Sequence, residues 1–279
     1  MYNAHIELDS ISPSGRRLIT SVLTYPRIVH AEFMTHRAFA RNAASSRAIP
    51  FSKMVKMVQY NPFIPIKWGA EQKGMQTGDD LSAEQEDICL NNWLEARDKA
   101  VELATDMHET GLHKSICNRL LEPFSWITVI VTATEFANFF RLRCHEHAEI
   151  HIQKIAYMWR DAIRQSKPTP LGVGAWHLPF IKQEDGALPL EILAQISTAR
   201  SARVSYLTHD GTRDIAKDLD LFTKLIEGSG FGHYSPHEHI AQANADPYVY
   251  SGPFRGWDQF RKRFVLENLT TPLHYKGDV

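Results

Sequence analysis

The chain has few cysteines, and their spacing excludes two common kinds of site. Cys89, Cys117 and Cys144 are the three cysteines among 279 residues. They are too few for a disulfide framework and too far apart for a C-x-x-C metal motif. Such usage favours a reducing compartment, so we expect a cytoplasmic protein. The glycine-rich motifs of Rossmann and P-loop proteins are also missing, which argues against those two nucleotide folds.

Long apolar runs and an excess of one charge are missing as well. No apolar run approaches the about 20 residues that span a bilayer, and Met1–Glu7 lacks the basic and apolar regions of a secretion signal. The 31 basic and 32 acidic residues nearly cancel. We therefore expect neither nucleic acid nor a membrane as a partner. The length permits one or two domains, and we expect a single domain over 1–279.

Alternation and helical periodicity predict strands interleaved with helices. Arg17–Tyr25 and the β-branched run Ile127–Val131 are predicted strands, and Gly69–Asp80 and Lys167–Asp185 are predicted irregular connections. Six helices are expected from caps and apolar periodicity. The first is short, with Pro26 at its first position and an apolar face formed by Val29, Phe33 and Met34. The second carries Ile88 to Leu103, and the third begins with a Thr132/Glu135 capping box. The fourth begins at about Glu146, with Ile152 to Ile163 on its apolar face and a polar face formed by His147, His151, Lys154 and Arg160. The last two are Leu190–Arg200 and Asp214–Glu227.

The densest group of ligand-type side chains is the segment 36–47, H-R-A-F-A-R-N-A-A-S-S-R. It combines three guanidiniums with an imidazole, a carboxamide and two hydroxyls. Arginine forks bind phosphate oxygens two at a time, and the small residues between them let backbone N–H groups approach the same ligand. The segment therefore predicts a site for a phosphorylated ligand. Its composition leaves an ordinary solvated basic turn open as the alternative.

This segment resembles the signature R-H-R-x-x-S-x-N-E-x-S-x-R of the flavin-dependent thymidylate synthases (ThyX). The positions that stand in register with the signature are His36, Arg37, Asn42, Ser45 and Arg47. Three positions depart from it: Thr35 and Ala40 replace the first Arg and the first Ser, and Ala43 replaces the Glu. Trp126 stands at another position where the family has Arg.

Asn138–Arg143, followed by His147-Ala148, resembles the family's N-F-x-x-L-R and H-A-Q block. Helical spacing predicts that Arg143 and His147 share a face and could touch one ligand. A surface Arg and a solvated His are the alternative.

Two more family blocks come last in the chain. Ala202–Tyr206 resembles A-R-V-S-[FY], and Gly232–His239 resembles G-H-x-[ST]-P-x-E-H. In the family these blocks precede the R-H-R segment, so the chain resembles a circularly permuted member. Permutation requires only that the old termini lie close together at the surface.

The resemblance implies an α/β (α+β) domain with an antiparallel sheet and flanking helices, assembled as a homotetramer. It implies FAD as cofactor, dUMP as substrate, and methylenetetrahydrofolate and NADPH as co-substrates. It also implies roles for particular residues. The expected flavin ligands are His36, Arg37, Asn42, Arg141, Arg143, His147, Ser205, His233, Ser235 and Glu238. The expected nucleotide ligands are Ser45, Ser46 and Arg47 at the phosphate and sugar, with Ser45 and Arg47 also assigned to catalysis, and Glu32 near the base.

Other interpretations of the same residues remain open. His145, His147 and His151 lie close in sequence, but without an H-E-x-x-H motif we favour hydrogen-bonded or solvated histidines over a metal site. Cys144 lacks the P-C-H context of the folate-dependent, non-flavin synthases. Because charges are missing at Thr35 and Ala43, a related flavoenzyme remains possible, one that adds hydroxymethyl or acts on a cytosine nucleotide such as dCMP. The last alternative is a non-catalytic protein that binds nucleotide or flavin.

Overall fold

The computed structural model describes residues 1–186, 188–206, 214–227, 232–264 and 267. Its main sheet has five strands in the order β3-β4-β2-β1-β5, all antiparallel except for the β1–β5 pair. A three-stranded sheet, β10-β7-β6, and a β8–β9 hairpin complete the described strands. The strands are β1 (Asn3–Ile11), β2 (Arg17–Pro26), β3 (Ala40–Ala43), β4 (Trp126–Ala133), β5 (Thr169–Pro170), β6 (Trp176–His177), β7 (Ala241–Ala243), β8 (Tyr250–Ser251), β9 (Phe254–Arg255) and β10 (Trp257–Gln259).

Helices flank the sheet and follow most of its strands. The α-helices are α1 (His30–Met34), α2 (Phe51–Tyr60), α3 (Ala83–Glu109), α4 (Lys114–Leu120), α5 (Ala137–Arg143), α6 (Ile150–Gln165), α7 (Leu190–Tyr206) and α8 (Ile215–Glu227). Among the described residues, no helix combines the length and the apolarity that crossing a membrane requires. The expected mixture of an antiparallel sheet and flanking helices is confirmed, as are the strands within β2 and β4 and the helices within α3, α7 and α8.

The largest apolar core lies between the sheet and α6. Leu23 and Tyr25 of β2 and Val129 of β4 point to one face, where they meet Ile155 and Trp159 of α6. All five side chains are buried, and burial of each large apolar side chain contributes roughly 1.5–3 kcal/mol. The indole Nε1 of Trp159 donates to Ser21 Oγ at 2.8 Å, so the buried polar atom is satisfied.

The opposite face of the sheet receives the C-terminal part of the chain. Helix α7 packs on β3 and β4, and a 3-10 turn over Ser235–His239 contacts β3, β4 and α7. The two C-terminal family-like blocks therefore return to the strand that follows His36-Arg37, although they are distant from it in sequence.

Thr132 does not begin a helix, and this prediction was wrong. Thr132 lies inside β4, fully buried and paired with Thr20 of β2 and Ala40 of β3. The next helix begins at Ala137 without a side-chain cap. A β-branched residue with pairing partners on both sides gains more from the ladder than from a local cap, so the S/T-x-x-E spacing was misleading here.

The stretch between α5 and α6 also differs from expectation. Helix α5 ends at Arg143, so Arg143 and His147 do not share a helical face. His147 lies in the following turn with its side chain 64% exposed and its Nε2 3.8 Å from Glu146. Helix α6 begins at Ile150 with Glu149 as its N-cap. His151, predicted on the solvated face, is buried, and its Nε2 accepts from the Ile66 N–H at 3.1 Å.

Two predictions about the helix α1 were wrong, the position of Pro26 and the burial of Met34. Pro26 ends β2 and precedes a 3-10 turn over Arg27–Val29, so it is not the first residue of the helix. Val29 and Phe33 are buried, but Met34 is 43% exposed, because α1 ends at that residue.

Candidate active site

A cleft of about 410 Å³ opens between the turn after α1 and helix α5. His36 and Arg37 line one side, and Asn138, Leu142 and Arg143 of α5 line the other. The rings of Phe39 and Phe139 form an apolar wall that also belongs to the core. The first and second family-like blocks therefore meet in one concave surface that combines cations with aromatic rings.

His36 lies in this cleft in a defined protonation state. The Arg143 Nε–H donates to His36 Nε2 at 3.0 Å. A guanidinium can only donate, so Nε2 carries a lone pair and the single ring proton of a neutral His36 is on Nδ1. Burial, together with the Arg143 and Arg41 cations, lowers the pKa of His36 to about 4, which keeps the ring neutral. No described residue forms a hydrogen bond with Nδ1, so its proton can be donated to a ligand.

Arg143 is held from a second side by Glu32. The guanidinium Nη1 lies 3.5 Å from the Glu32 carboxylate, and the Glu32 side chain is 42% exposed. Burial and the neighbouring Glu149 raise the pKa of Glu32, although Arg143 opposes this. The structure thus joins Glu32, Arg143 and His36, and the sequence had predicted all three as site residues.

Arg37 and Arg141 are the more exposed cations of this region. Arg37 lines the cleft and has no ion pair within the described part of the chain. Arg141 donates to Asn138 Oδ1 at 3.2 Å, beside the cleft. His147, exposed in the turn after α5, is not brought to the cleft by this single chain.

Arg41 connects the cleft to the Ser235–His239 turn, and sequence reasoning gave it no individual role. Its Nη1 donates to the carbonyls of Met34 at 2.9 Å and His36 at 2.8 Å, so it caps the C-terminus of α1. Glu238, on the turn, forms an ion pair with Arg261. Burial raises the pKa of Glu238, while Arg261 and Arg41 favour its charged form.

The rest of the C-terminal block lies around Glu238. His233 is exposed, and its Nε2 is 3.3 Å from Ser235 Oγ. Asn42 is buried in β3, the strand that the turn contacts. Ser205 belongs to α7, but its side chain falls outside the described residues.

Ser45, Ser46 and Arg47 form a turn between β3 and α2. Asn118 of α4, which is fully buried, donates to the carbonyls of Ser46 at 2.7 Å and Ile49 at 3.0 Å. The buried Ser46 hydroxyl donates to Glu122, so within this chain it shapes the turn and does not face a ligand. Arg47 is exposed and has no ion pair among the residues described.

The two halves of the R-H-R…S-x-R segment lie at opposite ends of β3. His36 and Arg37 precede this strand, and Ser45 and Arg47 follow it. The four residues of this strand, at about 3.3 Å each, make it about 13 Å long. No residue of the Ser45–Arg47 turn lines the His36 cleft. One chain therefore does not bring the anion-binding turn and the His36 cleft into a single compact pocket.

The positions that depart from the family signature are occupied by structural contacts. Thr35 Oγ1 donates to the Glu32 carbonyl at 2.7 Å. Ala40 and Ala43 pair with Thr132 and Val129 of β4 in the sheet. Trp126 packs edge-on against Tyr2 and Phe63, and its Nε1 donates to the Asn61 carbonyl at 3.1 Å. In the described ranges, no group of three His, Cys, Asp or Glu side chains is placed to share a metal ion.

Comparison with known families identifies the chain. The family model described as thymidylate synthase complementing protein matches residues 17–169, which is more than half of the sequence. The chain belongs to this family. The match contains the R-H-R-like segment and α5 and ends before the two C-terminal blocks. The family relationship expected from the sequence is thus confirmed.

Two solved structures show a more distant similarity to this family member. The UMP/dUMP methylase PolB from Streptomyces cacaoi bound with 5-Br UMP is 15% identical, with 59% of this chain and 89% of that chain covered and a TM-score of 0.49. The same methylase bound with 5-Br dUMP is 17% identical, with coverages of 53% and 67% and a TM-score of 0.45. The search of curated proteins found no match.

Proposed function

We propose that the protein is a flavin-dependent thymidylate synthase that methylates C5 of dUMP, with FAD as cofactor and with methylenetetrahydrofolate and NADPH as co-substrates. The family match supports an enzyme that methylates a pyrimidine nucleotide. The observation that carries the proposal is the His36 cleft, where a neutral, oriented imidazole and the guanidinium groups of Arg37 and Arg143 line one concave surface beside aromatic rings.

The residues of the cleft fit a flavin dinucleotide. Arg37 and Arg143 provide cations for a diphosphate, and the His36 Nδ1–H is a donor for a carbonyl or phosphate oxygen. Leu142, which lines the cleft and is 44% exposed, offers an apolar surface for a ring system. We assign Asn42, Arg141, His147, Ser205, His233, Ser235 and Glu238 to the same cofactor site. When bound, the flavin supplies the redox chemistry, and the protein supplies binding and orientation.

We assign the nucleotide to Ser45 and Arg47, with Glu32 near the base. The exposed Arg47 guanidinium can bind phosphate oxygens in a bidentate manner, and Asn118 holds the turn that presents it. Binding there orients C5 towards the one-carbon donor, and a cation near the pyrimidine carbonyls favours the negative charge that develops on the ring.

A homotetramer accounts for the distance between the two halves of the signature. If Arg37 of one copy and Arg47 of another build one site, a mixture of Arg37→Ala and Arg47→Ala subunits regains activity that neither variant has alone. The measurement is dTMP formation before and after the two variants are denatured and refolded together. A mixture that stays as inactive as its parents would contradict a site shared in this way.

The direct test of the function combines absorbance with product analysis. Purified protein should be yellow or should bind added FAD, and it should convert dUMP to dTMP with NADPH and methylenetetrahydrofolate. A colourless protein that ignores FAD contradicts both flavoenzyme hypotheses and favours a non-catalytic nucleotide-binding role. Arg164→Ala, on the exposed surface of α6, is the matched control for all arginine variants.

Glu32 supports a second candidate, an enzyme for a cytosine nucleotide or one that adds hydroxymethyl. A carboxylate accepts a hydrogen bond from an exocyclic amine, whereas the Gln that the family often has at this position both donates and accepts. Mass analysis of the products from dUMP and from dCMP separates the two candidates. In the dUMP enzyme, Glu32→Gln should retain or improve turnover of dUMP.

A further inference from the structure

A continuous set of buried hydrogen bonds connects the sheet to the Ser235–His239 turn. His177 Nδ1 lies 2.8 Å from Ser10 Oγ, and His177 Nε2 lies 2.8 Å from Thr20 Oγ1. Thr20 Oγ1 lies 2.7 Å from Thr132 Oγ1, which lies 2.9 Å from His239 Nδ1. None of the five side chains is more than 2% exposed. The set joins β1, β6, β2 and β4 to the turn that carries Glu238.

Counting protons gives this set a direction. Burial lowers the pKa values of His177 and His239 to about 3, so each ring is neutral and carries one N–H. If every group donates towards His239, all three hydroxyl hydrogens are used, and the ring proton of His239 is on Nε2. This direction leaves one buried group unpaired among the described residues, the His239 Nε2–H. The opposite direction leaves two, the Ser10 hydroxyl hydrogen and the lone pair of His239 Nε2. Because each unpaired buried polar group costs free energy, the first direction is favoured.

The end of the set is a buried donor without a partner. His239 Nε2 is buried and forms no hydrogen bond within the described part of the chain. The neighbouring residue, Glu238, forms an ion pair with Arg261 and is stabilised in its charged form by the Arg41 cation, and Arg41 donates to the carbonyl of His36. The position of His239 therefore bears on the position of the turn and, through Arg41, on the cleft.

We infer that Thr132 is a positioning residue for the site. Its hydroxyl accepts a hydrogen bond from Thr20, which in turn accepts from His177, and it donates to His239 Nδ1. This bond holds His239 as the Nε2–H tautomer and fixes the turn that presents Glu238. Thr132, Thr20 and His177 lie outside the sequence blocks that resemble the family signature. The effect on the cleft rests on the proposed function, whereas the tautomer of His239 does not.

The strand β4 supplies a matched control. Thr128 lies on the same strand and forms the same kind of cross-strand pair, with its Oγ1 3.0 Å from Thr24 Oγ1, but no histidine among the described residues forms a hydrogen bond with that pair. Thr132→Val and Thr128→Val each remove one hydroxyl from a Thr–Thr pair at nearly constant shape. Thr132→Ser restores the hydroxyl at the tested position.

The first measurement is nitrogen NMR of protein labelled with ¹⁵N-histidine, with the His239 signal assigned by its loss in His239→Gln. We expect Nε2–H for His239 in the unaltered protein. Thr132→Val should move its Nδ1 resonance and populate the Nδ1–H form, Thr132→Ser should restore the original signal, and Thr128→Val should not affect it. An Nδ1–H tautomer in the unaltered protein, or an unchanged spectrum in Thr132→Val, overturns the inference.

The second measurement is FAD affinity in the same variants. Thr132→Val should weaken FAD binding at least about fivefold, and Thr128→Val should not weaken it. The two variants should lose a similar amount of melting temperature. Equal FAD affinity in Thr132→Val and the unaltered protein would overturn the link to the cleft. If no form binds FAD, the proposed function fails, and the NMR result still decides the inference about His239.

Discussion

At the scale of single residues, neighbours determine the chemical state of the candidate ligands. The sequence indicates that His36 follows an apolar segment and precedes arginines, but it does not show which nitrogen carries the proton. The contact with Arg143 Nε decides this, because a guanidinium has no lone pair to offer. Arg143, in turn, is oriented by a hydrogen bond to His36 on one side and by an ion pair with Glu32 on the other.

Replacing Arg143 tests this arrangement. Arg143→Ala should weaken FAD binding by about 1.5–3 kcal/mol, the range for a lost hydrogen bond to a charged group. The FAD affinity of Arg143→Lys should lie between those of the unaltered protein and Arg143→Ala, because a lysine keeps the charge but not the planar fork. Fluorescence titration with FAD measures the effect, and Arg164→Ala should bind FAD like the unaltered protein. Equal affinity in Arg143→Ala would remove this residue from the cofactor site.

Replacing Arg47 tests the nucleotide assignment. Arg47→Ala should weaken dUMP binding by about 1.5–3 kcal/mol while leaving the melting temperature nearly unchanged, since the side chain is exposed and has no ion pair among the described residues. Calorimetry with dUMP checks this, and Lys56→Ala on the exposed side of α2 is the control. If dUMP affinity stays the same in Arg47→Ala, the residue does not contact the nucleotide.

At the scale of elements, packing decided several boundaries that local patterns did not. The Thr132/Glu135 spacing is typical of a helix start, yet β4 continues through Thr132 because β2 and β3 pair with it on both sides. Similarly, the turn over Ser45–Arg47 owes its shape to α4, which contacts it through the buried amide of Asn118.

Asn118 provides a test at this scale. Asn118→Ala leaves the carbonyls of Ser46 and Ile49 without their donor, and we expect the free energy of unfolding to fall by about 2–6 kcal/mol, at about 1–3 kcal/mol for each unsatisfied group. Affinity for dUMP should fall as well, because the turn loses its support. Urea denaturation followed by calorimetry measures both effects.

The control for Asn118 is Asn91→Ala, which changes an exposed asparagine in α3. Its stability should stay equal or rise slightly, since alanine has the higher helix propensity. A loss in Asn118→Ala no larger than in this control would mean that the amide does not support the turn.

At the scale of the whole molecule, the fold buries histidines in their neutral form. Burial lowers the pKa values of His177, His237 and His239 to about 3, compared with about 6.5 in an unfolded chain. His237 lies among aromatic rings, and neither of its nitrogens has a partner within the described residues. Protonation of these rings therefore favours the unfolded state.

This predicts a marked loss of stability in mild acid. Above pH 6.5 the three histidines are neutral in both states and have no effect. As the pH falls from 6.5 towards 3, the unfolded state binds protons first, and stability decreases by about 1.4 kcal/mol per pH unit for each histidine. The pKa values of His30 and His36 are lowered to about 4, so these two residues add to the same slope. Urea denaturation at pH 7.5, 6 and 5 measures the slope, and His237→Leu should reduce it by about a fifth. A flat profile between pH 6.5 and 5 would contradict the buried neutral rings.

The sequence by itself determined the family, the main strands and helices, and the cations of the cleft. These features depend on local order: alternation, periodicity, and the spacing of residues such as His36, Arg37 and Arg143. The antiparallel sheet with flanking helices followed from the same patterns and from the family resemblance.

Only the tertiary structure decided which of these residues meet. It joined His36 to Arg143 and Glu32, separated Arg47 from them by the length of β3, and buried His151 and Thr132, which the sequence had placed at a polar surface and a helix start. Hydrogen bonds such as that between Thr132 and His239 join residues far apart in the chain. Whether such partners meet depends on the packing of whole elements, and local spacing carries no information about it.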